Sequence, residues 1–312
     1  MLRSTVRTAL HKLGIAQAAR AFHPGCRILV YHRFGEDHAR LAAHCEHIRK
    51  YYRPVSMRQV VESLRGGLPL PNSAVAITID DGYRDFLLHA APVFLQYEIS
   101  VTVFVITGFI DRALWPWWDQ VTYMFRRTRR TGISFSGREV VISGDILRVI
   151  DGVTRGLKRL PRRERDARIA ELQQRLEVEL PKDAPSEYEP LSWDDARELS
   201  AAGVEFGGHT RTHPILSCES DEAELRDEIA GSKQRLDEQL GVPSLHFAYP
   251  NGTPADYDER TVSVVKESGF VSGVTVGRKF IGRGADCFRL ARLDVDPSLP
   301  QGHLVDSLAG LR

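Results

Sequence analysis

Residues 75–82 read VAITIDDG, a short apolar and β-branched run that ends in two aspartates and a glycine. A helical pattern follows from Tyr83 to Tyr97. This order predicts a strand, a turn at Gly82 and then a helix. The same unit, a β-rich run followed by a helical segment, recurs along the chain. The repetition predicts an α/β fold with a mainly parallel sheet.

Seven such runs predict strands, and seven strands with crossover helices indicate a closed, barrel-like sheet more than an open one. The predicted strands are Arg27–His32, Val75–Asp80, Val101–Ile106, Val204–Gly208, Leu245–Tyr249, Val271–Val276 and Arg289–Val295. The predicted helices are roughly His38–Tyr52, Met57–Leu64, Tyr83–Tyr97, Trp193–Ala202, Glu219–Leu240 and Asp256–Ser268.

The pattern is lost between residues 109 and 190. Because a structureless loop of that length is rare in a globular domain, we interpret 109–190 as a structured insertion, called the inserted segment below. It contains the hairpin pattern ISFSGREVVISG and a charged helical pattern that ends near Leu180. The predicted organisation is an N-terminal basic extension at 1–25 and a barrel domain at 26–312 that the inserted segment interrupts.

The composition is that of a globular protein, with 312 residues, 42% hydrophobic side chains and a formal net charge of +1. These values exclude a disordered or low-complexity chain and disfavour a nucleic-acid binder. The four cysteines are far apart and predict free thiols in a reducing compartment. Residues 1–25 lack the apolar stretch of a signal peptide, so we expect a cytoplasmic protein. This extension is expected to pack on the domain or to contact an anionic membrane surface.

The near-zero net charge is an average over two regions of opposite sign. Residues 126–170 carry thirteen basic and five acidic side chains, a net charge of +8, which leaves −7 on the rest of the chain. The basic stretch is interpreted as a solvated charged helix or as a surface that attracts an anionic membrane or a phosphate-bearing glycan.

Polar side chains stand where several predicted strands end, which is the edge at which parallel α/β folds bind ligands. Asp80 and Asp81 follow one strand, and adjacent carboxylates stay ionised together when a cation lies beside them. The alternative is that one aspartate caps the next helix and the other is solvated. His209 and His213, four residues apart, follow another strand. They form either a surface pair or, with a carboxylate, a metal site with open positions.

Three motifs in this order carry a resemblance to a known family. TIDDG at 78–82, HTRTH at 209–213 and FAYPNG at 247–252 resemble the motifs of the NodB-type polysaccharide deacetylases, carbohydrate esterase family four. The resemblance covers most of the chain from 27 to 296 apart from the inserted segment. It implies a distorted (β/α)7 barrel of the NodB type with a structured insertion.

The resemblance also implies an activity, the removal of N-acetyl groups from sugars of a bacterial surface polysaccharide or its precursor. It implies that Asp80 is the general base and that Asp81, His209 and His213 bind a divalent metal ion. That ion is expected to be zinc, with cobalt or nickel as substitutes. The FAYPNG motif implies that Tyr249 and Asn251 contact the substrate, with a backbone N–H near Asn251 holding the oxyanion.

The chain departs from the family pattern at two positions. The arginine that orients the base is absent from the third motif, where Ala248 stands, and Arg292 or Arg289 is expected to replace it. The terminal Leu-x-His motif has no clear counterpart. His32 resembles an early Tyr-His motif of exopolysaccharide deacetylases, and we expect it to act as the general acid, to contact substrate or to have a structural role.

Trp115, Trp117 and Trp118 begin the inserted segment close to a predicted strand end. Such aromatic rings stack on sugars or anchor a subdomain, and Trp117 and Trp118 are our candidates for sugar contact.

Two other functions share parts of this pattern. A non-haem iron oxygenase uses the same set of two histidines and a carboxylate. A carbohydrate-binding pseudoenzyme that keeps its metal would explain the missing arginine and terminal histidine. Neither alternative explains Asp80, the aspartate beside the expected metal ligand, as directly as hydrolysis does.

Overall fold

The computed structural model describes residues 25–310, so the predicted extension at 1–25 lies almost entirely outside the described residues. Ten strands are present in this range: β1 Arg27–Tyr31, β2 Arg53–Pro54, β3 Ala74–Ile79, β4 Val101–Val105, β5 Gly132–Phe135, β6 Arg138–Val141, β7 Glu205–Gly208, β8 His246–Ala248, β9 Ser272–Val276 and β10 Leu290–Asp294. Across residues 25–310, no helix is long and apolar enough to cross a membrane.

Helices connect these strands. They are α1 His38–Tyr51, α2 Met57–Leu64, α3 Ala91–Gln96, α4 Thr107–Ile110, α5 Trp117–Arg127, α6 Ile146–Lys158, α7 Arg162–Leu176, α8 Trp193–Ala201, α9 Glu222–Arg226, α10 Ser232–Leu240, α11 Glu259–Glu267 and α12 Gly302–Ala309. Two π-helical turns, Phe86–Ala90 and Asp227–Gly231, precede α3 and join α9 to α10.

Seven parallel strands close into a barrel, in the order β1-β10-β9-β8-β7-β4-β3, and β3 pairs with β1. The five residues of β1 are all buried, as are the six of β3. Because these strands are buried on both faces, their sequences are nearly continuously apolar and do not alternate between apolar and polar residues. The predicted (β/α)7 barrel is confirmed, and every strand end that carries a motif lies on one rim. The short strand β2 and helix α12 had no counterpart among the predicted elements.

The inserted segment has its own apolar core. The hairpin of β5 and β6 is antiparallel, as its sequence predicts. The expected single charged helix is instead two helices, α6 and α7, because Pro161 stands between them and a proline cannot continue a helix. The buried residues that these elements share are Trp117, Val121, Met124, Phe125, Ile133, Phe135, Ile150, Leu157, Ile169, Leu172 and Leu176.

The basic stretch at 126–170 is largely neutralised by neighbouring acids. Of its thirteen basic residues, all within the described part of the chain, nine have a carboxylate oxygen within 4.0 Å. Three of these ion pairs link the inserted segment to barrel residues, namely Glu224, Glu228 and Asp256. The other seven lie within the inserted segment itself. Binding of an anionic membrane by this stretch stays a prediction.

Candidate active site

Asp80, at the end of β3, forms a bidentate ion pair with an arginine of β10. Arg292 Nη1 lies 2.6 Å from Asp80 Oδ1, and Nη2 lies 2.7 Å from Oδ2. Arg292 Nη1 also donates to Thr78 Oγ1 at 3.1 Å, and both charged groups are buried. The alternative arginine, Arg289, instead pairs with acids at the surface. The structure thus places Arg292 where an arginine can orient the base.

The pKa of Asp80 results from opposing effects. Burial alone would raise it, but the charges of Arg292, His209 and His32 outweigh burial and hold the pKa below its ordinary value. Asp80 is therefore a carboxylate at neutral pH, with both oxygens oriented by one guanidinium.

Asp81, His209 and His213 bring three ligand atoms within 4.8 Å of one another. His209 Nε2 lies 3.6 Å from Asp81 Oδ1, and His213 Nε2 lies 3.9 Å from the same oxygen. These separations are too long for hydrogen bonds, but two ligands at about 2.1 Å from one tetrahedral ion lie about 3.4 Å apart. The three residues fit a divalent metal ion.

The hydrogen bonding and burial of the two imidazoles suit metal binding. His209 Nδ1 lies 2.8 Å from the carbonyl oxygen of Ala248, which can only accept, so Nδ1 carries a hydrogen and Nε2, which faces Asp81, is the nitrogen that would bind a metal ion. Burial, with repulsion from His209 and Arg165, holds the pKa of His213 well below its ordinary value. Burial also raises the pKa of Asp81, an effect that a bound cation would reverse.

Unusual backbone conformations concentrate at this rim. Asp81, Thr210, His213 and Asn251 have φ angles of 75°, 66°, 58° and 59°. Residues other than glycine rarely adopt this left-handed backbone conformation, because it is strained and the surrounding structure must hold it. Such residues cluster at functional sites. Each of the three motifs contributes at least one strained residue to the rim.

His32 stands at the end of β1, beside the base. Its Nε2 lies 3.9 Å from Asp80 Oδ2, and its Nδ1 lies 3.8 Å from Asp294 Oδ1. The side chain is 44% exposed, so a ligand entering from solvent can reach it. The structure therefore brings His32 to the same rim as the base and the three candidate metal ligands.

The candidate substrate residues separate into two groups. The ring of Trp118 lies against His213, with centroids 4.7 Å apart and an edge-to-face arrangement. Asn251, partly exposed, follows β8 on the rim. Trp117, by contrast, is buried in the core of the inserted segment, and Tyr249 is buried beneath the rim with its hydroxyl donating to the carbonyl of Phe288 at 3.0 Å. Trp117 and Tyr249 thus contribute to packing in this structure, and neither is placed to touch a sugar.

A hydrogen-bonded chain behind Trp118 was not expected from the sequence. Trp118 Nε1 donates to the hydroxyl of Tyr83 at 3.0 Å, and that hydroxyl donates to Asp119 Oδ2 at 2.5 Å. Burial raises the pKa of Asp119 to about 7. The chain fixes the Trp118 ring against His213. No local pattern could have revealed it, because Tyr83 and Asp119 are 36 residues apart.

Comparison with known proteins agrees with this geometry. The family model described as polysaccharide deacetylase matches residues 68–136 and 180–273, which together make up half of the chain. The chain therefore belongs to the polysaccharide deacetylase family. The unmatched stretch between the two ranges lies within the inserted segment.

Individual relatives are more distant. A 60-residue stretch is 45% identical to the poly-beta-1,6-N-acetyl-D-glucosamine N-deacetylase of Escherichia coli K12, covering 19% of this chain and only 9% of that protein. Among solved structures, IcaB from Ammonifex degensii has a TM-score of 0.60 at 20% identity, covering 92% of this chain and 97% of that one. The Streptococcus pyogenes deacetylase PplD has a TM-score of 0.60 at 18% identity, covering 91% and 98%. These structures share the fold.

Proposed function

We propose that this protein is a metal-dependent hydrolase that removes N-acetyl groups from sugars of a bacterial surface polysaccharide or its precursor. The observation that carries the proposal is the adjacency of two differently supported carboxylates on one rim. Asp80 is paired with Arg292, whereas Asp81 faces His209 and His213. One carboxylate is thus arranged to accept a proton and the other to hold a cation.

The expected ion is zinc, with cobalt or nickel as substitutes, held by Asp81, His209 and His213. When bound, such an ion polarises the acetyl carbonyl and lowers the pKa of a water molecule. Asp80 accepts the proton of the attacking water, and Arg292 keeps its oxygens in place. His32 then donates a proton from Nε2 to the departing sugar amine. A backbone N–H near Asn251 supports the oxyanion, and the Trp118 ring borders the acetyl group.

Each competing function accounts for fewer of the groups at the rim than hydrolysis does. A pseudoenzyme would explain the absence of the family arginine from the third motif, but Arg292 supplies the same pairing from β10. An iron oxygenase needs the two histidines and one carboxylate, yet gives no role to the buried pair of Asp80 and Arg292. Hydrolysis uses all of these groups.

The substrate proposal starts from the Escherichia coli relative, whose printed name specifies a β-1,6-linked N-acetylglucosamine polymer. We therefore propose short oligomers of that polymer as first substrates. The test measures acetate released by chelator-treated protein supplied with zinc, cobalt or nickel, alongside oxygen consumption with iron. Acetate release that depends on the ion supports the proposal. Oxygen uptake without acetate release would contradict it.

A further inference from the structure

A buried glutamate holds the loop that carries both histidines. Glu228 is 3% exposed and lies in the π-helical turn Asp227–Gly231. Its Oε2 accepts hydrogen bonds from the backbone N–H groups of Arg211 and Thr212, both at 2.9 Å. Its Oε1 accepts from Thr212 Oγ1 at 2.6 Å. One carboxylate thus binds two of the three residues between the histidines, Arg211 and Thr212, at three points.

The loop needs such support because its backbone is strained. Thr210 and His213 both have positive φ angles, each of which costs about 1–3 kcal/mol unless neighbouring groups hold it. From the opposite side, the N–H of Gly108 donates to the carbonyl of Arg211 at 3.0 Å. A Cβ atom at position 108 would lie 2.6 Å from that carbonyl oxygen, so only glycine permits this approach. Hydrogen bonds to Glu228 and from the backbone N–H of Gly108 therefore hold the loop on two sides.

The inserted segment reaches the same glutamate. Arg162, the first residue of α7, places Nη1 at 3.5 Å from Glu228 Oε1. Its backbone N–H donates to Glu219 Oε1 at 3.2 Å, which fixes the start of α7 on the barrel. The guanidinium of Arg162 compensates the charge of a carboxylate that is otherwise withdrawn from water.

We propose that Glu228 is a positioning residue for the metal ligands His209 and His213. Through the ion pair of Arg162 with Glu228, the inserted segment helps to hold this glutamate in place. This inference rests on the proposed function, because it takes Asp81, His209 and His213 as the metal site. Glu228 acts through the loop and touches neither ion nor substrate. A π-helical turn inside a helix is frequent at functional sites, and here it forms the stretch from which the glutamate meets the loop.

The chain offers a matched control in Asp256. This aspartate is equally buried, its Oδ2 accepts from the N–H of Thr253 at 3.0 Å, and it pairs with Arg159 of the inserted segment at 3.4 Å. It therefore has the same kind of contacts as Glu228, but on a loop without metal ligands. Loss of either carboxylate removes comparable packing, whereas only Glu228 is expected to affect the metal.

The experiment measures the zinc dissociation constant by chelator competition and the visible spectrum of the cobalt-loaded protein. We expect Glu228→Ala to weaken zinc binding about 10- to 100-fold and to change the cobalt spectrum. Glu228→Gln, which keeps an oxygen for the two N–H groups, is expected to restore most of the affinity. Asp256→Ala is expected to leave affinity and spectrum as in the wild type. Should Glu228→Ala not fold, Thr212→Val and Arg162→Met provide the test, each with weaker zinc binding expected.

Two results would overturn the inference while leaving the proposed function intact. One is wild-type zinc affinity and spectrum in Glu228→Ala, or in both substitute variants. The other is an equal loss of zinc in Asp256→Ala, which would indicate a general effect of lost packing. A third result, wild-type zinc binding no tighter than that of Asp81→Asn, would refute the proposed metal site and the inference together.

Discussion

The barrel rim and the inserted segment both use arginine–carboxylate pairs, but in different surroundings. At the rim, Arg292 and Asp80 are buried and joined by two short hydrogen bonds. In the inserted segment, Arg155 and Asp151 are 3.0 Å apart with side chains 73% and 62% exposed. An exposed pair contributes about 0–1 kcal/mol, whereas removing one partner of a buried pair costs about 3–5 kcal/mol. The burial of an ion pair, and not the number of charges nearby, decides how much its loss lowers the free energy of unfolding.

The largest effect is expected where the buried pair is broken. Arg292→Met should lower the rate of acetate release on the order of 1000-fold, because Asp80 loses its orientation and its charge partner. The free energy of unfolding should fall by about 3–5 kcal/mol. Arg155→Met is the control and should change stability by less than about 0.5 kcal/mol. Denaturant unfolding measures the stability, and an acetate assay measures the rate. Equal losses in the two variants would show that burial does not set the contribution of an arginine–carboxylate pair.

A smaller loss is expected at the half-exposed histidine of the rim. His32→Gln should lower kcat on the order of 100-fold, because the departing amine loses its proton donor. Zinc affinity should stay within about twofold of the wild type, since His32 is not among the three ligand residues. Steady-state kinetics and chelator competition measure the two quantities. An unchanged kcat would show that His32 is structural.

The two adjacent tryptophans should separate stability from catalysis. Trp117→Ala empties part of the core of the inserted segment and should lower the free energy of unfolding by about 3–5 kcal/mol. Trp118→Ala should instead raise KM about tenfold, because the ring beside His213 is lost. Thermal unfolding and kinetics on the same oligomer distinguish the two. A larger KM change in Trp117→Ala than in Trp118→Ala would reverse the assignment.

The last prediction concerns stability at acidic pH, to which two buried histidines of the barrel domain, His44 and His246, should contribute. Burial lowers the pKa of His44 to about 4 and that of His246 to about 4. These folded-state pKa values lie below the unfolded value of about 6.5, so the unfolded chain binds protons first and stability falls as pH drops from about 6.5 toward 4.

Between pH 6.5 and 5, each of these histidines should remove about 1.5 kcal/mol of stability. His44→Gln should therefore flatten the dependence of unfolding free energy on pH by about that amount, and Arg155→Met should not. Urea unfolding at the two pH values provides the measurement. An unchanged slope in His44→Gln would show that burial does not keep this imidazole neutral.

The barrel could be predicted from the sequence because its strands are short, apolar and followed by recognisable helices. The predicted and observed strand ends differ by about one residue, as between Val75–Asp80 and β3 Ala74–Ile79. The strand-end motifs also indicated the rim, since parallel strands bring their carboxyl ends to one side. The inserted segment was predicted less completely, because the prediction of one charged helix overlooked Pro161, a helix break that the sequence itself contains.

The residues that sequence reasoning missed act over long separations. Glu228 lies within a charged helical pattern that looks solvated, and only the fold shows that a π-helical turn buries it. The choice between Arg289 and Arg292 stayed open for the same reason, since Asp80 is 212 residues from its partner. Conversely, Tyr249 belongs to a recognisable motif, yet the structure buries its ring. A motif indicates the rim but not the direction of each side chain.

Metal-dependent deacetylation is tested most directly by titrating metal-free protein with zinc while acetate release from an N-acetylglucosamine oligomer is measured. We expect no release without metal, full activity near one equivalent of zinc, and loss of activity in Asp80→Asn with zinc affinity retained. Equal activity in the metal-free protein, or wild-type activity in Asp80→Asn, would contradict this expectation.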